Sequence, residues 1–347
     1  MAYTTITDPS AYFQAQLYTG NGGTNNIVNG GNSNLQPDWV WTKERNGTNW
    51  PSMYDSSRGV TKQISSNVNN SQYNGISGVT AFNTDGYTLG SATNENTNNN
   101  TYVSWQWKAN AGTTASNASG SITSTTQANT TAGYSIVTYT GNGVNGATVG
   151  HSLGVVPQMI IIKRLDAAAN WQVYHEAMGP TKAMFLDLTS AADTDASYWS
   201  NTAPTTGIFN LGTNTKGNAN GGTYVAYCFA GKQGYSKFNK YEGNSNADGA
   251  FIYTGFRPAF LMVKNISAGQ SWWMWDYARI GYNGANYRLR ADQDTAEDAD
   301  NKVDFVSNGF KFRDGDNAWN YSGNDFLYMC FAKNPFVATN GVPTTAR

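Results

Sequence analysis

Apolar positions along this chain come in short runs rich in Val, Ile, Trp, Tyr and Phe, bounded by clusters of Gly, Asn, Pro and Thr, which is the pattern of β-strands. The run Met159-Ile160-Ile161-Ile162 is apolar on both alternating sets of positions, as expected of a strand buried on two faces, and Tyr224 to Ala230 alternates more weakly. Helical periodicity is confined to two short candidates, Ala177 to Leu186 and Asp292 to Asp300. The pattern predicts an all-β protein.

The same pattern recurs three times. An aromatic-led turn, Tyr18-Thr19-Gly20-Asn21-Gly22, returns as Tyr139-Thr140-Gly141-Asn142-Gly143 and as Tyr241-Glu242-Gly243-Asn244-Ser245. A proline followed by an apolar run ending in lysine comes next: Pro37 to Lys43, Pro157 to Lys163 and Pro258 to Lys264. A segment led by Trp50, Trp171 and Trp272 follows, then a Gly-centred strand at Gly86, Gly207 and Gly309. Each copy ends on an Asn/Gly-rich loop and a last apolar strand: Tyr102 to Trp107, Tyr224 to Ala230 and Phe326 to Ala332. Five landmarks in register predict three tandem homologous β-sandwich modules, jelly-roll or concanavalin-like, at residues 10–109, 131–231 and 232–333, with a C-terminal tail over 334–347. Residues 110–130, rich in Ser, Thr, Asn and Ala and without an aromatic, read as a linker that leaves the first module free to sit at a different angle from the other two.

Charge and composition then narrow the function. Lys and Arg number 22 against 23 Asp and Glu, so no electrostatic attraction to nucleic acid or an anionic membrane is expected. Only 13% of residues are charged, and amides and hydroxyls cover the surface in their place. The opening residues carry no basic and apolar leader pattern, and no run reaches 18 apolar residues, so neither a cleaved signal nor membrane insertion is expected. The chain holds two histidines, His151 and His175, and two cysteines, a supply too small for zinc sites or His-dependent triads. His151 has only Ser152 beside it. The acidic run Asp292, Asp294, Glu297, Asp298 and Asp300 fails the calcium-loop pattern at Glu297 and Ala296, and reads as a solvated loop. Asp55 and Asp276 could serve a depolymerase only as a spaced pair, and nothing in the sequence pairs them. No catalytic residue, metal or cofactor is assigned. Cys228 and Cys330 occupy equivalent positions in two modules, too far apart to bridge, which predicts two free, buried thiols suited to a reducing compartment.

Recurrence sorts the aromatics. Trp50, Trp171 and Trp272 recur at one site and are expected in the core. Tyr198, Trp199, Tyr282, Tyr287, Trp319 and Tyr321 lie in loops that differ between copies, where a ring flanked by amides and hydroxyls can stack on a sugar, or else pack against a neighbouring module or subunit.

With these motifs in hand, the chain resembles a virion structural domain family, of tail-fibre type, widespread in tailed marine phages. The resemblance rests on Met1-Ala2-Tyr3-Thr4-Thr5-Ile6, the Tyr-Thr-Gly-Asn-Gly turns, Val149-Gly150-His151-Ser152-Leu153-Gly154, Tyr224 to Ala230, Gly234-Tyr235-Ser236-Lys237-Phe238, Tyr253-Thr254-Gly255-Phe256-Arg257-Pro258, Asn334-Pro335-Phe336 and Gly341 to Arg347. It implies a non-enzymatic virion protein, assembled in the host cytoplasm, with other virion proteins as partners and a homo-oligomeric state, a trimer for choice. Two roles follow as expectations. One is a tail-fibre or adhesin protein whose loop aromatics hold host-surface glycans. The other is capsid decoration or a similar architectural role as a pseudo-threefold unit, favoured by the three copies and by the lack of a coiled-coil or collagen-like stalk in this sequence.

Overall fold

A computed structural model describes residues 3–279 and 287–337. The chain is built almost entirely of antiparallel sheets, as the strand pattern predicts. Three large sheets share one strand order. In the first it runs Phe13–Thr19, Thr101–Trp107, Trp39–Glu44, Ser52–Asp55, Ile64–Ser65. In the second the corresponding five are Tyr134–Thr140, Thr223–Phe229, Met159–Arg164, Gln172–His175 and Lys182–Phe185. In the third they are Ser236–Glu242, Asp325–Pro335, Phe256–Asn265, Trp273–Asp276 and Tyr287–Arg290. Each large sheet is backed by a small one, built around Tyr87–Leu89, Ile208–Leu211 and Gly309–Phe312 respectively.

Alternation along the Pro-led strands sets the layers. Trp39 and Trp41, Met159 and Ile161, and Phe260 and Met262 point into one cluster shared by all three large sheets. The residues between them, Val40, Ile160 with Ile162, and Leu261 with Val263, point the other way, into three separate clusters beneath the small sheets. The strand buried on two faces is thus explained: one face belongs to the local sandwich and the other to the common centre. In that centre the Trp39 ring stacks on Trp107 at 4.3 Å and on Tyr227 of the second sheet at 4.5 Å, while Phe13 stacks on Phe331 of the third at 5.3 Å.

Several sequence expectations change. Residues 110–130 are not a linker: Ala115–Asn117 and Ser124–Asn129 are strands that extend the second large sheet, the latter paired with Tyr134–Thr140. Composition hid an alternation in which Ile122, Ser124 and Thr126 are buried and Ser121, Thr123 and Thr125 exposed, and Thr is itself a good strand former. The first sheet is not free to reorient either. Gln127 Nε2 donates to Ser56 Oγ and Ser57 Oγ at 3.0 and 2.9 Å, and the Asp38 carboxylate accepts from Ala109, Ala111 and Gly112 N–H at 2.7 to 2.9 Å. The C-terminal boundary moves as well, since the last strand runs on to Pro335, paired with Phe256. Neither helix candidate forms: Glu176–Met178 is one 3-10 turn followed by the strand Lys182–Phe185, and Asp292 to Asp300 is a loop with a two-residue strand. Cys228 and Cys330 are free and buried.

Candidate functional site

The recurring polar residues hold the three sheets together. Each Pro-led apolar run ends in a buried lysine, the penultimate residue of its strand, whose ammonium donates to backbone carbonyls of its own sheet's chain segment and of one other. Lys43 Nζ reaches Asp294 O at 3.0 Å, Lys163 Nζ reaches Asn69 O at 2.9 Å, and Lys264 Nζ reaches Thr189 O at 3.0 Å. Two residues beyond each lysine a carbonyl accepts a backbone N–H from the same neighbouring loop, three residues past the first acceptor: Glu297 N to Arg45 O at 2.8 Å, Gln72 N to Leu165 O at 2.9 Å and Ala192 N to Ile266 O at 3.1 Å. The contacts run first sheet to third, second to first and third to second, and so close a ring. Burial pulls all three ammoniums down to about 8, leaving them charged at neutral pH.

The turns recur for an equally local reason. A buried asparagine before each last strand, Asn96, Asn218 or Asn320, accepts a turn N–H on its side-chain oxygen, from Asn21, Asn142 and Asn244 at 2.9 to 3.1 Å. Its amide donates to loop carbonyls such as Gly90 O, Gly212 O and Asp314 O. A Cβ on the turn glycine would lie 2.2 to 2.5 Å from a backbone carbonyl oxygen at Gly20, Gly141 and Gly243, so no larger residue fits.

At the opposite end of the strands, Asp55, His175 and Asp276 occupy equivalent register positions, facing Trp39, Met159 and Phe260. Asp276 accepts from Arg279 Nε at 2.7 Å and from Trp105 Nε1 of the first sheet at 3.0 Å; Asp55 pairs with Arg58 and accepts from Tyr227 OH of the second sheet at 2.7 Å. In the second sheet the ion pair is replaced by His175 and Met178. His175 Nδ1 accepts from Ala177 N–H at 3.2 Å, which places the ring proton on Nε2. Burial pushes this imidazole from 6.5 down to about 4, against the opposing effect of the Tyr328 main chain. The unfolded chain therefore takes up a proton below pH 6.5 that the folded chain refuses until near pH 4, so His175 leaves stability intact above pH 6.5 and erodes it as pH falls between those values. His175→Asn keeps the acceptor and removes the titration. Denaturant unfolding at stepped pH is expected to show a fall between pH 6.5 and 4 that is shallower in the variant, by up to about 3 kcal/mol. Parallel curves for the two proteins would refute the assignment.

Three of the six aromatics singled out in the loops are not displayed. Trp199 is 1% exposed, its ring edge-on to Tyr174 and its Nε1 donating to Lys182 O at 3.1 Å, and Tyr198 is buried with its OH on Asp193. The helical turn Ala196–Trp199, capped by Asp195, folds both rings back under the small sheet. Trp319 is likewise 1% exposed, edge-on to Trp273 and Trp275, with Nε1 on Asp314 at 2.6 Å. These three are corrected from surface contacts to core residues. Tyr287 is half-buried under the Arg45 guanidinium, Tyr321 is 46% exposed, and Tyr282 lies outside the described residues. Of the recurring tryptophans, Trp171 and Trp272 are buried and donate across sheets to Ser65 O and Phe185 O, while Trp50 is only half-buried. The acidic run is not simply solvated: Asp292 is buried, accepting from Trp272 N–H, and Glu297 pairs with Arg45 across a seam. His151 is buried, with Nδ1 accepting from Leu153 N–H and Nε2 near Thr205 O.

An exposed ring does border a cleft, at a place the sequence reading passed over. A hollow of about 300 Å³ is lined by Tyr3, Gln158, Lys232, Gln233, Ser236, Lys237, Tyr253 and Thr254. Tyr253 is 48% exposed beside Phe251 at 49%; both stand on the outer face of the edge strand Phe251–Tyr253, whose Ile252 points inward. Lys237 Nζ donates to Tyr253 O at 2.7 Å and lies 5.4 Å from the ring centre, and the two hydroxyls of Tyr3 and Tyr253 are 3.2 Å apart. Period-two alternation over Phe251–Tyr253 was a usable signal, but the partners Tyr3 and Gln158 come from distant parts of the chain. A second hollow of about 310 Å³ is lined by Thr123, Thr125, Thr138, Thr140 and Thr223, and its tyrosines, Tyr139 and Tyr224, are buried and stacked on each other. Among the described residues no cluster of His, Cys, Asp and Glu could hold a metal, and no helix is long and apolar enough to cross a membrane.

Fold and surface thus define an all-β protein with several antiparallel sheets around a shared aromatic centre. A family model described as a domain of unknown function, DUF7483, matches residues 8–335, and the chain belongs to that family. No curated protein and no solved structure matches it.

Proposed function

We propose that the protein is a non-enzymatic structural component of a tailed phage particle, made of three homologous two-layer sandwich modules closed into one pseudo-threefold unit. The observation that carries the reading is the ring of lysine and backbone contacts, in which Lys43, Lys163 and Lys264 each bind the neighbouring sheet in the same geometry. Such a chain supplies by itself the threefold grouping for which a homotrimer would otherwise be needed, and it suits an architectural position such as capsid decoration. The titratable groups that could have served catalysis support the same reading, since Asp55 and Asp276 are locked to arginines and His175 is buried. The phage assignment rests on the resemblance of the turn and strand motifs. The exposed Tyr253 cleft favours a second reading, an adhesin displayed on the particle. Imaging of intact particles at subunit resolution tests the proposal: it expects single chains with internal pseudo-threefold density at repeated lattice positions. Trimers of the chain at a tail tip would favour the adhesin, and absence from purified particles would overturn both.

A further inference from the structure

We infer that the cleft between the second and third large sheets is a binding site for an acidic saccharide. Its size, about 300 Å³, is at the lower end of small-molecule sites and accommodates one or two sugar rings. Its apolar wall is the half-exposed ring of Tyr253, the kind of face on which the C–H side of a sugar stacks. That ring is held in advance of any ligand: Tyr3 OH donates to Gly255 O at 2.8 Å and meets Tyr253 OH at 3.2 Å, and Lys237 fixes the Tyr253 carbonyl. Gln233 and the hydroxyl of Ser236 supply groups able to bond ligand hydroxyls, whereas Thr254 is committed to the Phe256 main chain and Gln158 accepts from Gly231 N–H and donates to Glu176.

Charge narrows the ligand class. Two lysines, Lys232 and Lys237, line the hollow and no Asp or Glu does; Glu176, which accepts from Gln158 Nε2 at 2.9 Å, is not among the lining residues. Lys237 gives one of its three protons to Tyr253 O, leaving two for a ligand. In a protein with as few charges as this one, two cations beside an exposed ring and without a counter-ion among the described residues select a carboxylated or sulfated sugar over a neutral one. None of the residues in this argument belongs to the lysine ring of the seams, so the cleft can be tested apart from the architecture.

The test uses the full chain on an array of uronic-acid, sialylated and sulfated oligosaccharides with their neutral counterparts, followed by calorimetric titration of the best acidic binder. Binding to acidic members, at least roughly tenfold weaker for the neutral counterpart and for Lys232→Ala with Lys237→Gln, is expected. Tyr253→Ala should lose a similar factor, Tyr253→Phe should retain binding, and Tyr321→Ala, an exposed ring elsewhere, should leave it unchanged. Thermal melts of each variant separate lost binding from lost fold. No binding to any acidic member, equal binding to the neutral counterpart, or binding insensitive to Tyr253→Ala in a folded protein would each overturn the inference.

Discussion

Asp276→Ala lowers the free energy of unfolding by about 3–5 kcal/mol. Asp276 and Arg279 are both 0% exposed, and the carboxylate also holds Trp105 Nε1 of another sheet. Removing it leaves a buried guanidinium whose remaining acid, Glu297, is 3.4 Å away, and an indole N–H without an acceptor in the shared centre. Desolvation makes a stranded charge far more costly than an absent pair. The second sheet supplies the control, because it has His175 and Met178 at these positions and no ion pair in their place. The double variant Asp276→His with Arg279→Met is therefore expected to lose less than Asp276→Ala alone. Urea unfolding of the three proteins checks both statements, and a double variant worse than the single one would count against the equivalence of the two sites.

Lys264→Met is expected to have an effect of similar size, about 3–5 kcal/mol, through a different mechanism. Lys264 Nζ donates to Thr189, Ser190, Asn265 and Gln270 carbonyls at 2.6 to 3.2 Å, and a methionine of comparable length leaves all four without this donor, the Asn265 carbonyl in a buried place and the other three part-buried. Two of the four belong to the neighbouring sheet's loop, so the seam itself is weakened. A buried unmade hydrogen bond costs about 1–3 kcal/mol, and coupling among four acceptors on one donor keeps the total below the simple sum. A loss under about 1 kcal/mol would show that the lysine does not hold the seam.

What was legible in the sequence was whatever a single strand or turn decides. The apolar runs announced strands, the doubly apolar Met159 to Ile162 announced burial on both faces, and the spacing of Cys228 and Cys330 announced free buried thiols; each has its counterpart in the structure. Properties decided by distant residues were not legible. Lys43, Lys163 and Lys264 stood out as repeats, but their acceptors Asp294, Asn69 and Thr189 are backbone carbonyls, which any residue type supplies and no motif marks. Trp199 and Trp319 sat among polar residues and read as display, whereas a capped turn in one case and an Asp314 acceptor in the other turn their rings inward. The cleft at Tyr253 was missed because Tyr3, Gln158 and Lys237 meet there only after the sheets assemble.

Equilibrium unfolding of the native protein followed in parallel by tryptophan fluorescence and far-ultraviolet circular dichroism tests the closed unit most directly. Six of the eleven tryptophans, Trp39, Trp41, Trp105, Trp107, Trp171 and Trp272, lie in the shared centre and weight the fluorescence towards it, whereas the dichroism averages over every sheet. A ring of three mutually braced sheets predicts one transition, coincident in both signals. Two or three resolved transitions, with the fluorescence changing apart from the dichroism, would mean that the sheets fold as independent modules and that the shared centre does not bind them into one unit.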